Sequence, residues 1–201
     1  MKKVRLVLML VLALILAGVI GARLALSRHP SPIAGATPIT EYGTLKEFSL
    51  TDQNGNTFNS SSMKGSVWIA DFVFTRCMGP CPLVTSKMIQ WQKEFPSSTG
   101  LKFMTFSVDP EYDTPAILKK YATSYQADES RWTFLTGDHK KVYGIIRDNF
   151  HLVVEPGASE TDIIHSLHHV LIDKSGTILG YFNSADSADV EQLKTRLKKI
   201  L

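Results

Sequence analysis

The chain has 201 residues, of which 44% are hydrophobic and 20% are charged. This length and composition indicate one globular domain with an appendage, and they exclude an intrinsically disordered protein. The formal net charge of +3 is unevenly distributed, because five of the 22 basic residues precede the first acidic residue, Glu41. The remainder carries 17 basic and 19 acidic residues, a balance near −2 that gives no electrostatic reason to expect nucleic-acid binding.

The N-terminal segment has the pattern of a membrane anchor. Residues 6–22 are uninterrupted apolar sequence, and Lys2, Lys3 and Arg5 precede them. At about 1.5 Å per residue the run reaches about 25 Å, enough to cross a hydrocarbon core with snorkelling basic ends. A cleaved signal peptide is the alternative, but neither a small-x-small cleavage site nor a lipobox cysteine follows the run. We expect residues 1–28 to form a single-pass anchor in the cell membrane, with the rest of the chain on the extracytoplasmic side.

A tether and then a folded domain are expected after the anchor. Residues 29–43 are rich in proline, glycine and small side chains, which predicts a flexible tether. The domain then covers residues 44–201. It opens with a β-hairpin, because alternating residues at 48–52 are followed by the turn pair Asn54-Gly55.

The remaining segments alternate between strand and helix patterns. The apolar run 67–74 predicts a buried central strand. Further strands are expected at 101–108, 132–135, 168–172 and 177–182, and helices at 82–95, 115–125, 140–150 and 188–200. This order predicts an α/β protein with a mixed central sheet flanked by helices. The thioredoxin-like fold with an N-terminal β-hairpin extension satisfies it.

The chain contains only two cysteines, Cys77 and Cys81, at the point where the central strand gives way to a helix. Spacing of four places both thiols on one face, where they form a disulfide or two ligands of a metal ion. A disulfide that closes so short a ring would add little stability, and zinc usually requires four ligands. Three intervening residues, rather than two, depart from the thioredoxin redox motif. Two cysteines with one histidine would suit copper, above all Cu(I).

The six histidines differ in their prospects as a third ligand. Three are expected to be solvated or structural: His29, His139 and His151. His168 and His169 would point to opposite faces of a strand, so both cannot easily serve one site. His165 ends a stretch at 155–164 that is expected to be a flexible loop, and that loop could carry the imidazole over the cysteines.

Four motifs occur in order over roughly residues 44–201. They are Phe74-Thr75-Arg76-Cys77-x3-Cys81-Pro82, Phe106-Ser107-Val108-Asp109-Pro110-Glu111-x-Asp113-Thr114-Pro115, Trp132-x-Phe134-Leu135-Thr136-Gly137 and His165-Ser166-x5-Ile172-Asp173-x2-Gly176. Together they resemble the Sco (SenC/PrrC) family. The resemblance implies a membrane-anchored, thioredoxin-like metallochaperone, rather than an enzyme, that assists assembly of the binuclear copper site of cytochrome c oxidase subunit II.

The resemblance also implies ligands and partners. Copper, as Cu(I) or Cu(II), would be bound by Cys77, Cys81 and His165. The implied partners are subunit II, other copper chaperones and thioredoxin-like reductants. The alternative is a thiol–disulfide oxidoreductase that keeps the partner's copper-site cysteines reduced, for which Cys77 and Cys81 suffice. A peroxiredoxin is disfavoured because its Pro-x-x-x-Thr/Ser-x-x-Cys pattern is absent, whereas a non-catalytic module in redox signalling stays open.

Two positions depart from the family pattern. The acidic residue that usually precedes the histidine is Ile164 here, with Asp162 two places further back. Since carboxylates orient a ligating imidazole, this change is expected to weaken copper binding or shift the preferred oxidation state. The insert between the cysteines begins with Met78, which is interpreted as an exposed spacer, with an auxiliary soft ligand as the alternative.

Three carboxylates in or near these motifs have predicted roles. Asp109 and Asp113 are expected to form a turn and cap the helix at Pro115. Hydrogen bonding around the site, or docking of a partner, is the alternative for both. Asp71, near the end of the central strand, is expected to be a buried carboxylate that tunes thiol pKa, as in related thioredoxin-like sites.

Overall fold

The computed structural model describes residues 42–158 and 162–201. In these ranges the chain forms nine strands, β1 (Ser49–Asp52), β2 (Thr57–Asn59), β3 (Trp68–Val73), β4 (Lys102–Ser107), β5 (Trp132–Thr136), β6 (Val154–Pro156), β7 (Ile163–His165), β8 (His168–Ile172) and β9 (Ile178–Asn183). Its α-helices there are α1 (Cys81–Glu94), α2 (Pro115–Ser124), α3 (His139–Asp148) and α4 (Ser187–Ile200), and two short 3-10 helices lie at Ser60–Met63 and Ser97–Thr99. The expected anchor lies outside these ranges. No helix within them combines the length and the apolar character needed to cross a membrane.

Seven strands form one mixed sheet in the order β2-β1-β5-β4-β3-β8-β9. Strands β3, β4 and β5 are parallel, whereas β1 and β2 on one side and β8 and β9 on the other pair antiparallel. The predicted hairpin is confirmed as β1–β2, which extends the sheet beyond β5. The α/β architecture with a mixed sheet is therefore confirmed.

The core lies on both faces of this sheet, because β3 is apolar on both sides. Trp68 and Phe72 point to the face covered by α3, where Phe72 meets Phe106 and Phe150 at ring-centroid distances of 5.4 and 5.1 Å. Ile69 points to the opposite face, which is covered by α1, α2 and α4. A strand buried on both faces must be central, as the mostly apolar run at 67–74 predicted.

The end of β3 and the start of α1 place the two cysteines. Cys81 is the first residue of α1, and Pro82 occupies the first turn, where a proline costs no hydrogen bond. The predicted helix at 82–95 is thus confirmed within one residue at each end. Residues 74–80 connect strand and helix at the carboxyl end of the parallel strands, where side chains of a site meet.

One predicted loop is in fact a second, two-stranded sheet. The stretch 155–164, expected to be flexible, contributes to β6 and β7, which pair antiparallel with Val154 opposite His165. Gly157 closes the hairpin: its amide donates to the Asp162 carbonyl at 2.7 Å, and a Cβ there would collide with the Asp162 side chain. The expectation of a loop was wrong because the pairing depends on the close approach of two segments that carry no strong alternation.

The last residues of the expected tether contact the domain. Tyr42 N donates to the Ile178 carbonyl at 3.0 Å, and Ile178 N donates to the Gly43 carbonyl at 2.9 Å. Hydrogen bonding to β9 therefore begins at Tyr42, two residues before the predicted start of the folded domain at Thr44.

Candidate metal centre

The two cysteines differ in burial and in local structure. Cys77 lies in the turn after β3, where its amide donates to the Phe74 carbonyl at 3.2 Å, and it is half-buried. Cys81 begins α1 and is 1% exposed. Both are free thiols. Burial, followed by the neighbouring Cys77 thiol, raises the pKa of Cys81 above the ordinary value of a thiol. Cys81 is therefore a protonated thiol in neutral solution until an electrophile or a metal displaces the proton.

The imidazole of His165 reaches the buried thiol. Its Nε2 atom lies 3.6 Å from Cys81 Sγ, and the ring packs edge-on against Phe74 at a centroid distance of 5.7 Å. Nδ1 is 3.1 Å from the Ser166 carbonyl oxygen, which can only accept a hydrogen bond. Nδ1 therefore carries the proton, and the lone pair of Nε2 faces the sulfur. Burial also lowers the pKa of His165, which keeps the ring neutral.

The Ser166 carbonyl orients the His165 ring, a role that the acidic residue of the family pattern would otherwise have. Ile164, at the position of that acid, is 54% exposed. Asp162 does not compensate, because its carboxylate accepts from the Ala158 amide at 3.1 Å within the hairpin turn. A backbone carbonyl fixes the tautomer of a ligating histidine as a carboxylate would, although it adds no negative charge.

The spacing between Cys81 and His165 fits two ligands of one metal ion. With metal–ligand bonds of about 2.0–2.3 Å separated by about 120°, a sulfur and a nitrogen would lie about 3.7 Å apart. Two thiolates and a neutral imidazole are the soft donor set that suits Cu(I). No three Cys, His, Asp or Glu side chains in the described ranges are arranged to hold a metal ion as they stand. The Cys81–His165 pair thus has the spacing of two ligands, and the Cys77 thiol, which adjoins Cys81, is the third candidate donor.

A cleft of about 370 Å³ opens beside this pair. Its lining includes Phe74, Cys77, Met78, Ile164 and His165. Cys77 and His165 therefore face solvent through the same opening, whereas Cys81 lies beneath them. The cleft gives an ion from solvent access to Cys77 and His165.

Asp113 braces the turn that carries Cys77. Its carboxylate accepts hydrogen bonds from the Thr75 amide at 3.1 Å, from the Thr75 hydroxyl and from the Ser107 hydroxyl at 2.7 Å. The expected capping role of Asp113 was wrong: the residue that caps α2 is Thr114, whose hydroxyl accepts from the Ile117 amide. The alternative interpretation, hydrogen bonding around the site, describes Asp113 instead.

Asp109 holds the residue next to Cys77. Its carboxylate accepts from Arg76 Nε at 2.6 Å, and the Arg76 guanidinium lies 4.6 Å from the centre of the Tyr112 ring. The loop after β4 thus contacts the cysteine turn through two successive residues, Thr75 and Arg76. Both contacts join residues of the first two family motifs, so the sequence marked these residues as candidates. No spacing rule predicts that the two motifs touch each other.

Replacement of Asp113 by alanine is expected to destabilise the protein by about 2–4 kcal/mol, because it leaves the part-buried Thr75 amide and the Thr75 and Ser107 hydroxyls without their acceptor. The matched control is Thr114→Ala, which removes only the helix cap and should cost about 1 kcal/mol. Urea unfolding gives both values, and hydrogen exchange at the Thr75 amide reports the turn directly. Equal losses in the two variants, with Thr75 protection unchanged, would contradict the bracing role.

Asp71 is buried within β3, opposite Thr105 of β4, on the sheet face covered by α1. Neither of its oxygens has a partner of hydrogen-bonding geometry in the described part of the chain, although the Thr105 hydroxyl partly offsets the effect of burial. Desolvation raises the pKa of Asp71 to about 7. Its charge also raises the pKa of Cys81, as the last and smallest of the causes after burial and the neighbouring Cys77 thiol.

The other described histidines lie away from the cysteines. His169 is fully buried, and its Nε2 donates to the Val84 carbonyl at 3.2 Å while its ring packs against Trp91. His168 pairs with the Ser166 hydroxyl at 2.8 Å. His139 stacks on Tyr143, and His151 is exposed after α3. Among the described histidines, only His165 contacts a cysteine.

Comparison with known proteins identifies the family of this chain. The family model described as SCO1/SenC matches residues 37–201. The chain belongs to the SCO1/SenC family. A curated relative, the SCO1 protein homolog of Bacillus subtilis, is 31% identical over 156 residues, which is 77% of this chain and 81% of that protein.

Solved structures of Sco proteins share the fold. BsSco, described as a member of the Sco family of cytochrome c oxidase assembly proteins with a disulfide switch, superposes with a TM-score of 0.69 at 30% identity. The match covers 78% of this chain and 92% of BsSco. Bradyrhizobium japonicum ScoI, solved with copper bound, gives a TM-score of 0.62 at 26% identity, over 79% of this chain and 100% of ScoI.

Proposed function

We propose that this protein is a membrane-anchored metallochaperone that assists assembly of the binuclear copper site of cytochrome c oxidase subunit II. It binds copper as cargo through Cys77, Cys81 and His165. The observation that carries the proposal is the 3.6 Å approach of His165 Nε2 to Cys81 Sγ, with the nitrogen lone pair facing the sulfur. Membership of the family, the copper-bound structure of Bradyrhizobium ScoI and the description of BsSco support it.

The donor set explains how the site would handle copper. Cu(I) accepts three-coordinate binding by two thiolates and one imidazole, and the copper thiolate bonds supply most of the affinity. The Cys81 thiol must lose its proton when copper binds, so uptake releases a proton and favours higher pH. His165 and Cys77 face the cleft, whereas Cys81 is enclosed. Release to a partner therefore begins with the ligands nearest the cleft.

The location of the domain follows from the N-terminal sequence. Residues 1–28 anchor the chain in the cell membrane, and residues 29–43 hold the domain on the extracytoplasmic side. Support comes from the apolar run with basic residues before it. On that side, subunit II, other copper chaperones and thioredoxin-like reductants are the partners that the domain would meet, and disulfides are permitted.

The second candidate is a thiol–disulfide oxidoreductase that keeps the copper-site cysteines of its partner reduced. Two observations favour it: the Cys77 thiol lies close enough to Cys81 to raise the pKa of that thiol, and BsSco is described with a disulfide switch. This function needs both cysteines but no imidazole. His165 is therefore the residue that separates the two candidates.

Cells that lack the gene provide the test. The wild-type protein is expected to restore an oxidase with its binuclear copper centre, whereas His165→Ala and Cys77→Ser are both expected to fail, because each loses one of three copper ligands. The measurements are the optical spectrum of the binuclear centre and oxidase activity, with immunoblotting to show equal protein levels. Full restoration by His165→Ala together with failure of Cys77→Ser would establish the oxidoreductase function instead.

A further inference from the structure

Met78 has an unusual environment for a large apolar side chain. It is 98% exposed, in the turn between Cys77 and Cys81, and it lines the cleft together with Cys77 and His165. This exposure excludes a packing role. Single exposed apolar residues are common, so exposure alone assigns no function. The position of the thioether at the opening of a two-thiol, one-imidazole site is what gives Met78 a chemical role.

The three sulfur atoms of this turn form a gradient of burial. Met78 is exposed, Cys77 is half-buried and Cys81 is 1% exposed. Gly79 leaves one side of the Cys77 sulfur uncovered, since a Cβ at Gly79 would contact that sulfur at 3.9 Å. An ion that enters from solvent therefore meets Met78 and Cys77 before it reaches Cys81. An ion that leaves meets them last.

A thioether has the properties of a ligand for transit. It is soft and suits Cu(I), as the thiolates do. It is also neutral and has no proton to lose, so it binds and releases copper without a proton transfer. Its full exposure shows that it is not directed into the space between Cys81 and His165. Met78 is thus poorly placed as a resident ligand and well placed as a temporary one.

We propose that Met78 is an exchange ligand, whose thioether holds Cu(I) together with Cys77 while the bond to His165 is not yet made or has been broken. This inference rests on the proposed function of the same site. On release, the bond from copper to His165 Nε2 breaks as the bond to Met78 Sδ forms. The ion stays three-coordinate and remains Cu(I), so no electron is transferred. Met78 then sets the rate of copper exchange and contributes little to the equilibrium affinity.

The kinetic test uses the full-length protein in detergent, loaded with Cu(I) and mixed without oxygen with excess bathocuproine disulfonate. Absorbance of the copper–chelator complex gives the rate of copper loss, and competition at equilibrium gives the affinity. Met78→Leu keeps the size and apolar character of the side chain but removes the sulfur. We expect it to slow copper loss about 10-fold, while the affinity changes by less than about 2-fold.

Two further variants separate chemistry from surface cover. Met78→Ala removes both the sulfur and the apolar area, and it is expected to be as slow as Met78→Leu. Leu83→Ala removes a 43% exposed apolar side chain from the first turn of α1, and its rate should equal that of the wild type. If both Met78 variants lost copper at the wild-type rate, Met78 would be only a spacer. If Met78→Ala lost copper slowly while Met78→Leu lost it at the wild-type rate, the apolar area of the side chain, and not its sulfur, would control the exchange.

Methyl NMR observes the exchange state directly. In protein labelled at the methionine methyl groups, His165→Ala loaded with Cu(I) should show a shifted Met78 methyl signal, because copper lacks its nitrogen ligand. Loaded wild-type protein should not show this shift, and Met78→Leu assigns the signal. An unshifted signal in His165→Ala would overturn the inference. Failure of the proposed function looks different: the wild-type protein would then bind no stoichiometric Cu(I), or would bind it equally well without His165.

Discussion

Replacement of His165 by alanine or of Cys81 by serine is expected to lower the affinity for Cu(I) by more than about 100-fold, since even groups that only orient a metal ligand contribute 10- to 100-fold. The imidazole and the buried sulfur are the preformed half of the site, at 3.6 Å from each other. Loss of either leaves only Cys77 and one other side chain to bind copper. Competition titration of the reduced protein against a chromophoric Cu(I) chelator measures the change.

His151→Asn is the matched control for these variants. His151 is exposed and has a φ of 52°, a backbone conformation that asparagine tolerates well. Its replacement removes an imidazole without disturbing the fold, and the copper affinity should stay at the wild-type value. Stoichiometric binding of undiminished affinity in both His165→Ala and Cys81→Ser would eliminate the three-ligand assignment.

Replacement of Asp71 by asparagine is expected to stabilise the protein at pH 8 by about 2 kcal/mol. The carboxylate is fully buried, and burial raises its pKa from 3.8 to about 7. A raised acid pKa means that the folded state keeps a proton that the unfolded state has lost, so stability falls as the pH rises from about 4 to 7. Three pKa units correspond to about 4 kcal/mol. Asparagine removes this loss but leaves a buried amide with imperfect partners, which costs about 1–3 kcal/mol.

The quantity to measure is the difference between wild type and variant. Burial lowers the pKa of His169 to about 3, which makes stability rise with pH over the same interval and partly hides the effect of Asp71. Urea unfolding of both reduced proteins at pH 4.5, 6 and 8 cancels the contribution of His169. The advantage of Asp71→Asn should grow with pH. Asp148→Asn, a change at an exposed carboxylate on α3, should show no such growth, and a constant difference for Asp71→Asn would refute the ionisation argument.

The helices and the strands of the main sheet could be predicted because their signals are local. The apolar run at 67–74 became β3 and the helical spacing after Pro82 became α1, each with ends within one residue of the expectation. Strands β6 and β7 could not be predicted, because three-residue strands without alternation gain their stability from each other. The cap of α2 was assigned one residue too early. Thr114 and Asp113 are both good capping residues, and only the contact with Thr75 decides between them.

The amino-acid sequence by itself determined the family resemblance, the paired cysteines at a strand-to-helix junction and the candidacy of His165, because spacing and residue type are local properties. The tertiary structure decided that His165, 84 residues from Cys81, presents Nε2 to the buried sulfur. It also decided that the Ser166 carbonyl selects the tautomer and that Asp113 holds the turn of Cys77. These features depend on distances between segments far apart in the chain, and such distances arise only when the sheet, the hairpin and the helices pack together.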